Sequence, residues 1–223
     1  MNKWVIFTVL LFCLSACGEN HALKEETFMF DEENEGWIVG DSANHRFIMK
    51  DNNGIGFGFS LRDSSYYFGK SWSSILGITT HMSYKEYHYQ NFASSYGVAF
   101  HLSLTAGFPP YGDDIYVGFD DIDFSYDFGY NTISRLDVFS KHKSMSMTDQ
   151  GYEQQDEKIF STVAFLHNVT IGDVTYETVL HFQLKDFTEE LYNHSVKEIF
   201  IAKDVGLVKY ILNSGLEVIR IAG

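Results

Sequence analysis

The sequence predicts an all-β chain with minor helix, an antiparallel meander forming a sandwich, a half-open barrel or a strongly curved sheet. Three observations carry that expectation. Apolar residues alternate at period two through several runs, the pattern of half-buried strands. Turn signals between those runs are closely spaced, and short connections join antiparallel rather than parallel neighbours. The composition is 17% aromatic, with 20 Phe and 14 Tyr against only 2 Pro, which suits pleated, half-buried surfaces.

The elements follow in order. Asp51-Asn52-Asn53-Gly54 reads as a hairpin turn between a run ending near Lys50 and one beginning at Gly54. In that second run Ile55, Phe57, Phe59 and Leu61 share one face, opposite Gly54, Gly56, Gly58 and Ser60. Glycines on one face of a strand permit close approach of another backbone or a large ring. Residues 83–92 fit a helix or an irregular strand equally well, and the polar stretch 147–158 reads as a solvent loop joining two halves. Val163, Phe165, His167 and Val169 alternate, and so do Val174, Tyr176, Thr178, Leu180, Phe182 and Leu184. Gly172-Asp173 between them is a type II′ signal, because glycine supplies the positive φ. Residues 187–192 can form one helical turn, with Thr188 as cap and acids favourable at its N-terminal end. The C-terminus continues as a meander, 196–203, 207–212 and 216–221, with turns at Asp204-Val205-Gly206 and Asn213-Ser214-Gly215. About ten to twelve strands result, enough for a sandwich or barrel.

Met1-Asn2-Lys3 is a short positive segment, the residues from Trp4 to Leu14 form an almost unbroken apolar run, and Leu14-Ser15-Ala16-Cys17 closes it. The run falls short of the roughly 20 apolar residues of a membrane-spanning helix and has the layout of a secretory signal. The closing tetrapeptide resembles the lipobox of bacterial lipoproteins. That resemblance implies a signal peptide over 1–16, cleavage before Cys17, and lipidation of Cys17 with acyl chains such as palmitate. Residues 17–26, polar and without a periodic apolar face, then read as a lipidated tether. Flexible-chain scaling gives it a reach of about 15–18 Å. A single β-rich domain over 27–223 follows, since no linker or repeat divides the remainder. Gly18 after the cysteine is not the aspartate of inner-membrane retention, so the expected address is the cell envelope, at the outer membrane facing the periplasm or the exterior.

Charge and cysteine usage exclude several classes. The chain carries a net charge of −14. Removing residues 1–16 would take away Lys3 alone among the charges, leaving 15 basic against 30 acidic side chains. Nucleic-acid binding, which relies on Lys and Arg neutralising phosphates, is not expected. Electrostatic adhesion to anionic lipid is equally disfavoured, so membrane attachment falls to acyl chains, of which more than one is needed for stable anchoring. Cys13 and Cys17 are the only cysteines. The mature domain therefore has no disulfide and holds by packing alone.

Candidate chemistry concentrates in the acids of 113–127. Asp121, Asp123 and Asp127 would share one side of an extended strand, a candidate calcium site, since a hard cation wants six to eight oxygens. A solvated edge strand explains the same charges. Asp51 to Gly56 departs from a calcium loop, with Ile55 and Arg62 where oxygen ligands are needed. His81 and His88, seven apart around Glu86, fit no zinc spacing. No G-x-S-x-G elbow occurs, and G-x-G-x-G at 54–58 is not a dinucleotide fingerprint. No catalytic residue and no cofactor is expected. Asn168-Val169-Thr170 and Asn193-His194-Ser195 match the glycosylation pattern but read as chance.

The C-terminal third carries Tyr176-Glu177-Thr178-Val179 and then Ala202-Lys203-Asp204-Val205-Gly206-Leu207-Val208-Lys209. It resembles uncharacterised envelope lipoproteins of Bacteroidota with an Ala-Lys-x-Val-Gly-Leu-Val-Lys turn. Phe200-Ile201 and Asp204 depart from that pattern. The resemblance implies an extracytoplasmic β domain and transfers no site residues. The expected role is a non-catalytic binding or structural module on the membrane, engaging an envelope protein, a glycan or an amphiphile. An apolar concavity lined by residues such as Phe57, Phe59 and Trp72 would suit the last. The alternative is a hydrolase of envelope polysaccharide or peptide using carboxylates of 113–127.

Overall fold

The computed structural model describes residues 25–40, 42–75, 78–107, 112–120, 122–139, 144–148, 160–185 and 193–221. The expected signal segment, Cys17, Asp121, the turn at 187–192 and most of the loop at 147–158 lie outside those residues. The chain divides into two compact units. The larger comprises Phe28–Gly69 and Lys85–Gly223; the smaller contains Lys70–Tyr84 and residues up to Thr27.

The structure is almost entirely β. The strands are β1 (Glu25–Phe28), β2 (Arg46–Asp51), β3 (Gly56–Ile75), β4 (Ile78–Ser94), β5 (Ala99–Thr105), β6 (Asp114–Phe119) and β7 (Ile122–Asp127), continuing with β8 (Thr132–Phe139), β9 (Ser144–Thr148), β10 (Phe160–Ile171), β11 (Val174–Lys185), β12 (Val196–Ala202), β13 (Gly206–Leu212) and β14 (Glu217–Arg220). Among the described residues, helix is limited to two 3-10 turns, Glu35–Trp37 and Ser42–His45. The ambiguous stretch 83–92 is strand β4, and Met147 and Thr148 close β9 rather than opening a loop. Strand β1 pairs with β4.

In the larger unit the antiparallel sheet is nearly closed into a barrel with one seam. Neighbours follow the chain from β2 to β9 and from β10 to β14, and β14 pairs with β2 to join the two runs. The seam falls between β9 and β10. Alternation sends Phe100, Leu102 and Leu104 of β5 inward, with Ile115 and Val117 of β6 and Ile122 and Phe124 of β7. Across the interior they meet β10 to β13. Phe124 stacks on Phe182 at 4.3 Å, Phe119 lies 4.7 Å from Tyr210, and Tyr126 meets Phe165 edge-on at 5.4 Å. The core is therefore packed with rings rather than hollow. Pairs of this kind contribute about 0.5–1.5 kcal/mol each beyond their buried area.

Strand β12 is buried on both faces: Ile199 and Ile201 belong to the main core, and Phe200 and Ala202 do not. Its pairing with β13 shifts register between Val196 and Glu198 and between Phe200 and Ile201. A second cluster, including Val179, Phe200, Ala202 and Val208, packs apart from the main core.

Residues 30–39 form a strap held by buried polar side chains. Phe30 N–H donates to Glu86 Oε2 at 2.8 Å and Asp31 N–H to Asp113 Oδ2 at 2.8 Å. Gln90 clasps Val39 on both sides, accepting from its N–H at 3.1 Å and donating to its carbonyl at 2.7 Å. Trp37 is buried between Phe128 and Phe165. The turn at 203–206 docks against this strap. Asp204 N–H donates to Gly36 O at 2.6 Å, and Lys203 Nζ donates to Glu33 O. Gly206 has φ of +88°, and a Cβ there would stand 2.7 Å from Val39 Cγ2, so glycine is required twice over.

Candidate functional site

The acidic segment disperses its carboxylates into separate structural tasks. Asp113 is buried and accepts from Asp31 N–H, from Asn34 Nδ2 at 3.0 Å and from Gly107 N–H at 3.1 Å. Asp127 is buried and accepts from Tyr130 N–H at 2.8 Å, closing the turn after β7. Asp123 accepts from the Tyr116 hydroxyl, and burial pushes its carboxyl above the usual range. Asp123 and Asp127 thus keep different partners, and Asp121 lies outside the described residues. Among the described residues no group of three or more His, Cys, Asp or Glu converges on a metal position.

One acid stands apart electrostatically. Asp114 pairs across the sheet with Asp127. Burial first, and the Asp127 charge second, push its carboxyl up to about 6, while Lys85 and a Ser134 hydrogen bond oppose the rise.

Asp51 caps its own hairpin, accepting from Asn53 N–H at 3.0 Å and Ile55 N–H at 2.7 Å. Such use of both bonds within the turn is an Asx arrangement. Glu86 also belongs to the fold, bonding Phe30 N–H and, at 2.5 Å, the Tyr66 hydroxyl. Burial lowers the pKa of His88, with Glu86 opposing, and its Nε2 lies 3.5 Å from Ser64 Oγ. The side chains of His81 and Trp72 lie outside those described.

A cavity of about 820 Å³ lies alongside β2 and β3 in the larger unit. Phe59 is part of its wall; Phe57 instead packs against the core and Tyr96. Phe47, Ile48, Val174, Tyr176 and Val205 complete most of the apolar lining. The glycine face of β3 contributes here in an unanticipated way. A Cβ at Gly58 would find nothing nearer than Phe47 O at 3.9 Å. A side chain there would meet no close contact, and with Ser60, Ala93 and Ser95 this glycine leaves a floor of small residues.

Three of the chain's four arginines, Arg46, Arg62 and Arg220, line this cavity, and no described Asp or Glu does. Arg135, the fourth, is ion-paired to Asp137 at 2.5 Å. Arg46 pairs in register with Ser60. Arg62 therefore sits diagonally from Arg46 on the same face, a separation of about 7–8 Å between such positions. Arg220 is held from three sides: Nη1 donates to Val205 O at 2.8 Å, Nη2 donates to Asn44 Oδ1, and the guanidinium lies 4.6 Å from the Phe47 ring. Burial lowers its pKa from the ordinary arginine value, with Tyr176 opposing.

Sequence reasoning missed all three arginines. The hairpin turn at 52–54 does bring Arg46 and Arg62 together once its register is drawn, and that signal was present. Arg220 arrives from the far end of the chain through the β14–β2 pairing, which no local pattern announces.

Comparison of the chain with protein-family models, with curated proteins and with solved structures found no match.

Proposed function

We propose that the chain is a membrane-anchored envelope lipoprotein whose β domain is a non-catalytic binding module, with the cavity as its site for an amphiphile. The anchor is argued from Leu14-Ser15-Ala16-Cys17 behind an apolar run, and from an acidic surface that offers anionic lipid little attraction. The outer membrane is the address these residues favour. The ligand class is argued from the cavity. Its volume of about 820 Å³ lies within the roughly 300–1,000 Å³ of small-molecule sites, and apolar walls with a few polar groups are their usual chemistry. That cavity, beside an otherwise ring-filled core, is the observation that carries the proposal.

The hydrolase alternative has one observation in its favour, the raised pKa of Asp114 beside Asp127, since perturbed acids gather at active sites. Against it, Asp113 and Asp127 are committed to backbone N–H groups, and the cavity contains no described carboxylate.

Two measurements on the full chain test the proposal. Wild type should partition with membranes and incorporate labelled palmitate, while Cys17→Ser does neither; equal partitioning and labelling would remove the anchor. Organic extraction of the purified protein should release one amphiphile species at close to one per chain. Recovery of bulk membrane lipid only, in the proportions of the membrane, would contradict the binding role.

A further inference from the structure

We infer that the cavity selects single-chain amphiphiles whose headgroup is an oxyanion, a carboxylate or a phosphate monoester, gripped by Arg46 and Arg62 with Arg220 supplying a half-buried positive charge. The inference rests on the cavity being the ligand site. It begins with placement. A chain with 30 acidic and only 16 basic residues brings three of its four arginines to one apolar cavity and leaves that lining without a described acid. Guanidinium groups present planar forks that match carboxylate and phosphate in a bidentate fashion.

The side chains of Arg46 and Arg62, unlike that of Arg135, have no hydrogen bond or ion pair with any other described residue. Like charges at neighbouring positions of a strand pair repel, and an anion shared between them converts that repulsion into two attractions. Arg220 adds an independent argument. Its partners are a backbone carbonyl, an amide oxygen and the Phe47 ring, all neutral. A guanidinium withdrawn from water is costly unless a counter-charge answers it, and among the described residues no carboxylate does. The same three partners fix its direction in advance, which reduces the ordering cost of binding.

The walls decide between a free anion and an amphiphile. An inorganic phosphate would satisfy the arginines and leave Ile48, Val174 and Val205 wet. Ile48 and Ile221, both large apolar residues exposed to solvent, line the same cavity, so the apolar surface continues outward as an acyl chain would need.

The test uses the full chain carrying Cys17→Ser, so that no acyl group of its own competes. Three probes share one chain: oleate, 1-oleoyl lysophosphatidate and neutral 1-monooleoylglycerol, each below its micellar concentration at about 0.15 M salt. At least one anionic probe should bind saturably and tenfold or more tighter than the neutral probe. Preference for oleate identifies a carboxylate ligand and preference for lysophosphatidate a phosphate; either supports the inference. R46Q/R62Q should reduce that preference to within about twofold, and both sites are exposed, so circular dichroism should be unchanged. Lys197→Gln, which removes an exposed charge outside the cavity, should leave the preference intact. Equal affinity of anionic and neutral probes in the wild type would overturn the headgroup inference while the cavity stands. Failure of all three probes to saturate would overturn the cavity as ligand site as well.

Discussion

Asp114 illustrates how far a single side chain departs from its sequence-level expectation. As one more acid in a charged run it reads as solvated, yet its cross-strand partner is Asp127 and burial is the larger influence on it. A carboxyl raised from 3.8 to about 6 binds its proton more tightly in the folded state. Its contribution to stability is thus greatest below about pH 4 and is lost as pH rises through 6. The full shift corresponds to about 3 kcal/mol, reduced to about 1 kcal/mol because the group is partly exposed and screened. Asp114→Asn should therefore raise the melting temperature at pH 7.5 by about 2–4 °C, the size of response expected for a domain of this length. At pH 4 the two proteins should melt together. Equal melting at both pH values would refute the assignment.

At the scale of elements, the strap at 30–39 depends on a small number of long-range polar contacts. Gln90 answers both the N–H and the carbonyl of Val39, and both residues are buried. Leaving a buried polar group without a partner costs about 1–3 kcal/mol, so Gln90→Leu should destabilise by about 2–4 kcal/mol. Urea unfolding gives the magnitude, and amide exchange at Val39 should accelerate more than exchange in β5 or β6. Uniform acceleration would mean that the strap has no local role. Turns and hairpins of the C-terminal half were legible in the sequence, because glycine at 172, 206 and 215 marks positive φ and alternation marks the strands between. The Asp204–Gly206 turn was legible as a turn only. That it docks Gly36 and Val39, and offers the Val205 carbonyl to Arg220, depends on contacts across most of the chain, which spacing cannot encode.

Across the larger unit, sheet closure determines where a ligand can go. Rings from β5 to β7 and from β10 to β13 fill the interior, so Phe59 belongs to a packed wall as well as to the cavity. The all-β class and the antiparallel meander follow from period two and short turns. The β14–β2 pairing that completes the sheet does not, and it is also what delivers Arg220. Fold class was thus readable from local pattern, whereas the candidate site depends on closure and was not. The central claim is that this cavity, and no other surface, receives an amphiphile. Its most direct test is photo-crosslinking with a diazirine-bearing oleate, followed by peptide mapping. The account predicts label concentrated on peptides containing Phe47, Ile48, Val174 and Val205, suppressed by excess unlabelled oleate. Label spread over the surface, or confined to strands outside the cavity and unaffected by competitor, would contradict it.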